Sequence, residues 1–294
     1  MHGDLRVVVT EVGAALRSFR AAGEPIIWEF SDDEVTSGGR GQVLAPWPNR
    51  LEDGSYGFGE TGGKAALDEP ERSNAIHGLV RWLPWSVEER SVERAVLSCV
   101  VHPQPAYPFR VRLELDYCLG DGGLEVSCVA TNTGRRVAPF GLGFHPYLLG
   151  GPGGIDEATV DLGAERRLLL DSRGLPAGAE AVDGSAFDLR GGRSLRGLTL
   201  DDCYTGLAVG SDGRWRARLD LPSRRSELWA DAAFAYAMCY TGDTLGDPAD
   251  RRRAVAVEPM TCPPNALRTG QGMIELQPGE PWHARWGIGT TRLS

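Results

Sequence analysis

Between Phe109 and Thr131, apolar and polar residues alternate with a period of two on both sides of a glycine-rich turn. Val111, Leu113, Leu115 and Tyr117 are interleaved with Arg110, Arg112, Glu114 and Asp116; after Gly120-Asp121-Gly122-Gly123 the alternation resumes with Leu124, Val126, Cys128 and Ala130. Successive side chains of a strand point to opposite faces, so this pattern predicts a β-hairpin with one buried and one wet face. Similar short strands are predicted at Leu5–Thr10, Ala95–His102, Trp215–Leu221 and Ala254–Glu258. No stretch of helical length sustains a 3.6-residue apolar period, and Ala232–Ala237 is apolar but too short to assign. The expected fold class is therefore all-β, a large antiparallel β-sandwich or a barrel.

A chain of 294 residues can form one large all-β domain or two average ones. No linker, repeat or compositional shift divides it, so a single domain over residues 1–294 is expected. Gly150-Gly151-Pro152-Gly153-Gly154, where a two-domain chain would break, reads as a long turn.

Composition removes several function classes. A net charge of −9 and a pI near 5.2 argue against nucleic acid or an anionic membrane as partner. The basic residues are nearly all arginine, with Lys64 the lone lysine, which is not a binding signal. Cys99, Cys118, Cys128, Cys203, Cys239 and Cys262 lack CxxC spacing and read as reduced thiols. No run approaches the roughly 20 apolar residues of a membrane span, and residues 1–6 lead into a strand-like stretch without a signal-peptide core. A soluble, cytoplasmic protein, monomeric or homodimeric, is expected. There is no Gly-x-Ser-x-Gly elbow, no phosphate-binding GxxxxGK[ST] loop and no strand–GxGxxG–helix unit.

What remains is a small set of ionisable residues in apolar, glycine- or proline-flanked settings. His145 lies in Gly143-Phe144-His145-Pro146-Tyr147, where the following proline biases it toward an extended conformation. His77 is followed by Gly78, which permits a positive φ and a tight turn. Glu258 closes the apolar run Ala254–Val257, where partial desolvation raises its pKa from about 4.3 and makes it a stronger base. Taken singly, each has an ordinary explanation: a hydrogen-bonded core histidine, a loop histidine, or an edge-strand glutamate paired with Arg251–Arg253. Together, two imidazoles and a carboxylate supply a proton donor and acceptor near neutral pH. Asn49 and Arg50, held in Pro46-Trp47-Pro48-Asn49-Arg50, carry donors suited to sugar hydroxyls, and Trp47 reads as core. Asp201 and Asp202 are weaker candidates, since acidic pairs are common in turns. A mononuclear metal site from His77, His145 and Glu258 is chemically feasible, but no close His-x-His or His-x-x-x-His pair supports it, so it is the less favoured reading.

In sequence order, these runs resemble the aldose 1-epimerase (galactose mutarotase-like) family. The resemblance spans about Gly39 to Gly289. It rests on Pro48-Asn49-Arg50-Leu51 with Gly54 and Tyr56, on Asn74-Ala75-Ile76-His77-Gly78, and on Phe144-His145-Pro146-Tyr147. Leu200-Asp201-Asp202-Cys203-Tyr204, Tyr240-Thr241-Gly242-Asp243 and Val257-Glu258-Pro259-Met260-Thr261 complete it. It implies the galactose mutarotase-like supersandwich, a free monosaccharide as the small-molecule partner, and catalysis with neither cofactor nor metal. It also implies His145 as the general acid at the ring oxygen and Glu258 as the base at the C1 hydroxyl. Arg50, His77 and Asp201 would bind the sugar with Asn49 in support. Two positions depart from the family pattern: Leu79 stands where a second glycine is common, and Met238 where a glutamine is common. The alternatives are an epimerase of hexose 6-phosphates, which would need cations such as Arg40, Arg72 or Arg81 at the cleft, and a non-catalytic carbohydrate-binding or sensing protein.

Overall fold

The computed structural model describes residues 1–293. A nine-stranded sheet runs in the spatial order Arg193–Ser194, Thr159–Leu162, Arg214–Leu221, Arg224–Asp231, Pro281–Arg292, Gly123–Asn132, Val111–Gly120, Arg94–Val101 and Ser86–Arg90. The predicted hairpin lies within it, paired from Val111 with Asn132 to Gly120 with Gly123. An eight-stranded sheet orders Pro176–Ala181, Arg166–Leu170, Asp201–Thr205, Tyr236–Tyr240, Ala254–Met260, Gly143–Phe144 and Val43–Leu44, with Tyr147–Leu149 also paired to Ala254–Met260. Every pairing in both sheets is antiparallel.

The alternation seen in the sequence is what joins the two sheets. Leu113, Leu115, Val126, Trp215 and Trp286 from the first share one apolar cluster with Tyr204, Cys239, Val255 and Val257 from the second. Burying each Val, Leu or Phe fully contributes about 1.5–3 kcal/mol over leaving it exposed, and neither sheet can hide its apolar face alone. Trp47 joins this core, as expected.

The strand Ala254–Met260 is buried at every position. Its odd-numbered valines enter the shared core, whereas Ala254, Ala256 and Met260 belong to separate small clusters. Both faces of this central strand are thus covered, and Glu258, 2% exposed, is carried on the face turned away from the main core. The edge-strand alternative for Glu258 does not hold. Nor are Arg251–Arg253 a plain solvated run: Arg252 bridges Asp156 at 2.7 Å and Asp243 at 2.9 Å.

The other predicted strands are present as Leu5–Val9, Arg94–Val101 and Arg214–Leu221. The Gly150–Gly154 run forms a tight turn in which Gly151 and Gly154 exchange backbone hydrogen bonds at 2.9 Å, and the eight-stranded sheet takes strands from both sides of it. The apolar segment Ala232–Ala237 divides between a turn and the strand Tyr236–Tyr240. Among the described residues the α-helix is a single turn, Ala266–Thr269, and no helix is long and apolar enough to cross a membrane. All six cysteines are free thiols.

Candidate active site

Register writes out the site. Cys203 pairs with Met238 and Met238 with Glu258. On the other side of Glu258, Gly143 pairs with Met260 and Tyr147 with Ala256, which places His145 opposite Glu258. One row across the sheet therefore reads His145, Glu258, Met238, Cys203. Two residues along each strand, and so on the same face, a second row reads Tyr147, Ala256, Tyr240, Asp201. Loops from the N-terminal third close over these rows. Asn49, Arg50, His77, His145, Asp201 and Glu258 all line one cavity of about 300 Å³, at the lower end of the small-molecule site range of about 300–1,000 Å³. The acidic pair alone does not choose between Asp201 and Asp202, and the resemblance implies Asp201. Asp201 faces the cavity, whereas Asp202 is buried and bonded by Arg167.

His145 Nε2 lies 3.3 Å from Glu258 Oε1. The imidazole is held on two sides: Tyr147 stacks on it at 5.0 Å with a 16° interplanar angle, and His77 meets it edge-on at 5.3 Å. A Cβ on Gly39, whose φ is +75°, would lie 2.5 Å from His145 Cδ2, so only glycine fits against the ring. Burial pushes the His145 imidazole down to about 3. It also pushes the Glu258 carboxyl well above the usual range, helped by the nearby Asp201 charge and opposed by Arg50. A neighbouring carboxylate ordinarily holds an imidazole protonated. One is adjacent, but loss of hydration outweighs it.

His77 and Gly78 occupy consecutive left-handed conformations, φ +63° and +69°. A Cβ at Gly78 would lie 2.1 Å from the Ala45 carbonyl oxygen. The His77 backbone N–H donates to the Asn49 carbonyl at 2.8 Å, and Asn49, itself at φ +54°, accepts the Arg50 N–H on Oδ1 at 2.9 Å. Holding non-glycine residues in this region takes about 1–3 kcal/mol each, sustained by such surrounding bonds. Burial, then the neighbouring His145, Arg81 and Arg50, keep His77 well below the ordinary histidine range.

Arg50 is fixed by Glu69, which accepts from Nε at 2.8 Å and Nη2 at 2.9 Å; Nη1 is outside that fork. Glu69 is in turn held by Asn74 Nδ2 at 2.9 Å. Reading the sequence missed Glu69, because Asp68-Glu69-Pro70-Glu71-Arg72 is a polar run without period. It also gave no role to Tyr147 and Tyr240, which line the same cavity and sit inside motifs that were noticed. Of the three candidate cations, Arg72 lines the cavity; Arg40 is bound by Glu34 at 2.7 Å over Trp28, and Arg81 by Asp68 at 2.5 Å.

His77 Nδ1, His145 Nδ1 and Glu258 Oε2 are buried without hydrogen-bond partners. Each orphaned group costs about 1–3 kcal/mol, a pattern expected where a polar ligand completes the bonding. Among the described residues, no group of three or more His, Cys, Asp or Glu side chains is placed to hold a metal ion.

Glu258 also makes a stability prediction. Its folded-state pKa lies above its unfolded value of about 4.3. From there up to the folded pKa, the native state binds more protons than the unfolded one, so stability falls as pH rises. Glu258→Gln removes this penalty. Its Tm should exceed the wild-type value at pH 8, with the gap shrinking at pH 5. Calorimetry at the two pH values checks this; a gap that is absent or reversed at pH 8 contradicts it.

A sequence profile for the family described as Aldose 1-epimerase matches residues 1–288. The chain belongs to the aldose 1-epimerase family. Among proteins similar to this aldose 1-epimerase family member is the uncharacterized protein YihR of Escherichia coli K12, 27% identical over 280 residues, or 95% of this chain and 88% of YihR. Solved structures share its fold. A GalM/aldose epimerase homologue from C. elegans superposes with a TM-score of 0.89 at 17% identity, covering 100% of this chain and 98% of that one. A putative aldose 1-epimerase from E. coli K12 gives 0.85 at 19%, covering 100% and 98%. Galactose 1-epimerase from Lactobacillus acidophilus gives 0.83 at 19%, covering 99% and 92%. The galactose mutarotase fold expected from the sequence is the one observed.

Proposed function

We propose that this protein is an aldose 1-epimerase that interconverts the α and β anomers of a free monosaccharide by acid–base ring opening. The observation that carries the reading is the His145–Glu258 pair, 3.3 Å apart in a sugar-sized cleft. His145 protonates the ring oxygen while Glu258 takes the proton from the C1 hydroxyl. The C1–O5 bond breaks to give the aldehyde, the C1–C2 bond rotates, and closure on the other face returns both protons. Arg50, His77 and Asp201, supported by Asn49, hold the remaining hydroxyls.

Proton counting fits this step. Imidazolium with carboxylate before opening, and imidazole with carboxylic acid after it, carry the same single proton. Burial favours the second arrangement in the free enzyme, so the resting pair is already in the state that closes the ring. Such a pair titrates as a unit. It gains a second proton only as pH falls toward the depressed His145 value of about 3, and loses its one proton only above the raised Glu258 value. Between those limits the fraction of active tautomer does not change.

A pH profile tests this. Polarimetry on freshly dissolved hexoses and pentoses, corrected for the spontaneous rate, should give kcat/KM that stays flat as pH falls through about 4.3 toward the depressed His145 value of about 3. An independent carboxylate base with the ordinary pKa of about 4.3 would instead halve the rate near that pH and lower it tenfold per unit below; that result would contradict the shared-proton account. Arg72 at the cavity supports a second reading, a hexose 6-phosphate as substrate. Against it, Glu69, Glu71, Asp201 and Glu258 line the same space, and turnover of glucose against glucose 6-phosphate separates the two.

A further inference from the structure

Glu69 holds one edge of the Arg50 guanidinium, and a distant part of the chain packs against the rest of it. Arg166–Leu170 and Pro176–Ala181 pair as a hairpin at the edge of the eight-stranded sheet. Its turn is closed by Asp171, whose Oδ1 accepts the backbone N–H groups of Arg173 and Leu175 at 2.8 and 2.9 Å. Gly174, at φ +74°, is buried in that turn, and a carbon added to it would fall 2.6, 2.7 and 2.8 Å from Arg50 Nη1, Cζ and Nε. The backbone at Gly174 therefore lies against the guanidinium, on the side that includes Nη1.

Arg173 ties this turn to the loops around Arg50. Its Nε donates to the Arg72 carbonyl at 2.9 Å, and its Nη2 to the Ser73 carbonyl and to Asp53 Oδ1, both at 2.8 Å. Its own carbonyl accepts Asn74 Nδ2 at 2.8 Å, the same amide that holds Glu69. One arginine thus joins the segment after Arg50, the segment that supplies Glu69 and the turn against the guanidinium. Asp53 and Ser73 each sit at a φ of +55°, a conformation that non-glycine residues keep only when surrounding bonds enforce it. A planar guanidinium with five donors can serve these separate acceptors at once.

We infer that Arg173 is a positioning residue for sugar binding, acting through Gly174 and Asn74 to hold the Arg50 guanidinium in place at the cavity. The inference rests on the sugar-binding role proposed above for Arg50. Arg173 does not itself line the cavity. Its loss should therefore weaken the grip on substrate and spare the acid–base pair.

The test measures KM and kcat separately by polarimetry, on whichever of D-glucose, D-galactose, D-mannose and D-xylose the wild type turns over fastest. Arg173→Met should raise KM by about tenfold, the order lost with one hydrogen bond to a charged group, and change kcat far less. Gly174→Ala, which presses a methyl group onto the Arg50 guanidinium and leaves Arg173 in place, should raise KM in the same way. Arg268→Met is the control. Arg268 also bridges Glu52 and Asp53, at 3.3 and 3.5 Å, but its other bonds go to the Glu52 and Ser55 carbonyls, so its loss should keep the wild-type KM. Should Arg173→Met not fold, Gly174→Ala alone decides the matter. An unchanged KM in the folded variants, a loss confined to kcat, or a KM raised equally by Arg268→Met overturns the inference and leaves the acid–base reading standing. Wild type no faster than Glu258→Gln on every sugar overturns that reading and this inference with it.

Discussion

Glu258→Gln should lower kcat for anomer exchange by about 10²–10⁴-fold, His145→Asn by a similar factor, and the double variant by little more than the worse single one. Glutamine keeps the shape of the side chain at position 258 but cannot accept a proton, so ring opening loses its base. Asparagine at 145 cannot protonate the ring oxygen, and the Glu258 carboxyl beside it loses its partner across 3.3 Å. The two residues act as one unit sharing one proton, so removing the second after the first has little left to destroy. KM should change less than kcat, because Arg50, His77 and Asp201 remain in the cavity. Initial rates by polarimetry, with protein folding checked by circular dichroism, give these values. Losses that multiply, to the product of the two single factors, would show the groups acting independently.

Gly39→Ala should lower kcat by about 10²-fold although residue 39 performs no chemistry. The new methyl carbon would sit 2.5 Å from His145 Cδ2 and 2.9 Å from Nε2. With Tyr147 stacked on the imidazole, the ring must move off its line to Glu258. A displacement of about 1 Å at a reacting group costs on the order of 10²-fold. Alanine at a φ of +75° is strained as well. Gly184→Ala controls for that, since Gly184 has φ +70° with nothing within 4 Å of the added carbon. It should lose comparable stability and keep wild-type kcat. If Gly39→Ala and Gly184→Ala have the same kcat, close packing does not position His145.

These expectations draw on parts of the molecule that differ in how readable they were from sequence. The hairpin from Val111 to Asn132 was legible because one buried face imposes a strict period of two, and the structure keeps that period over ten pairs. Glu258 was legible as a desolvated carboxylate because it ends an apolar run. What was not legible is the partner of each strand, since local sequence does not encode which strands become neighbours. Met238 lies beside Glu258 and Tyr240 beside Ala256 only through the register of Tyr236–Tyr240 on Ala254–Met260. The same holds for Asp201 against Asp202: adjacent strand residues face opposite ways, and the pairing of Asp201 with Tyr240 decides which one turns to the cleft. Glu69 was hidden for a different reason. It sits just before a 3₁₀ turn at Pro70–Arg72, in a segment whose polarity suggests only surface, and becomes half of a fixed pair when Arg50 folds against it.

Exchange NMR on the anomeric protons tests the central claim most directly, because it follows the interconversion itself in a sample already at anomeric equilibrium. With an aldose that fits the cleft, wild type should produce exchange between the α and β resonances far above the spontaneous rate, and the His145→Asn/Glu258→Gln double variant should not. Undiminished exchange in that double variant would mean that this imidazole and this carboxylate do not open the ring.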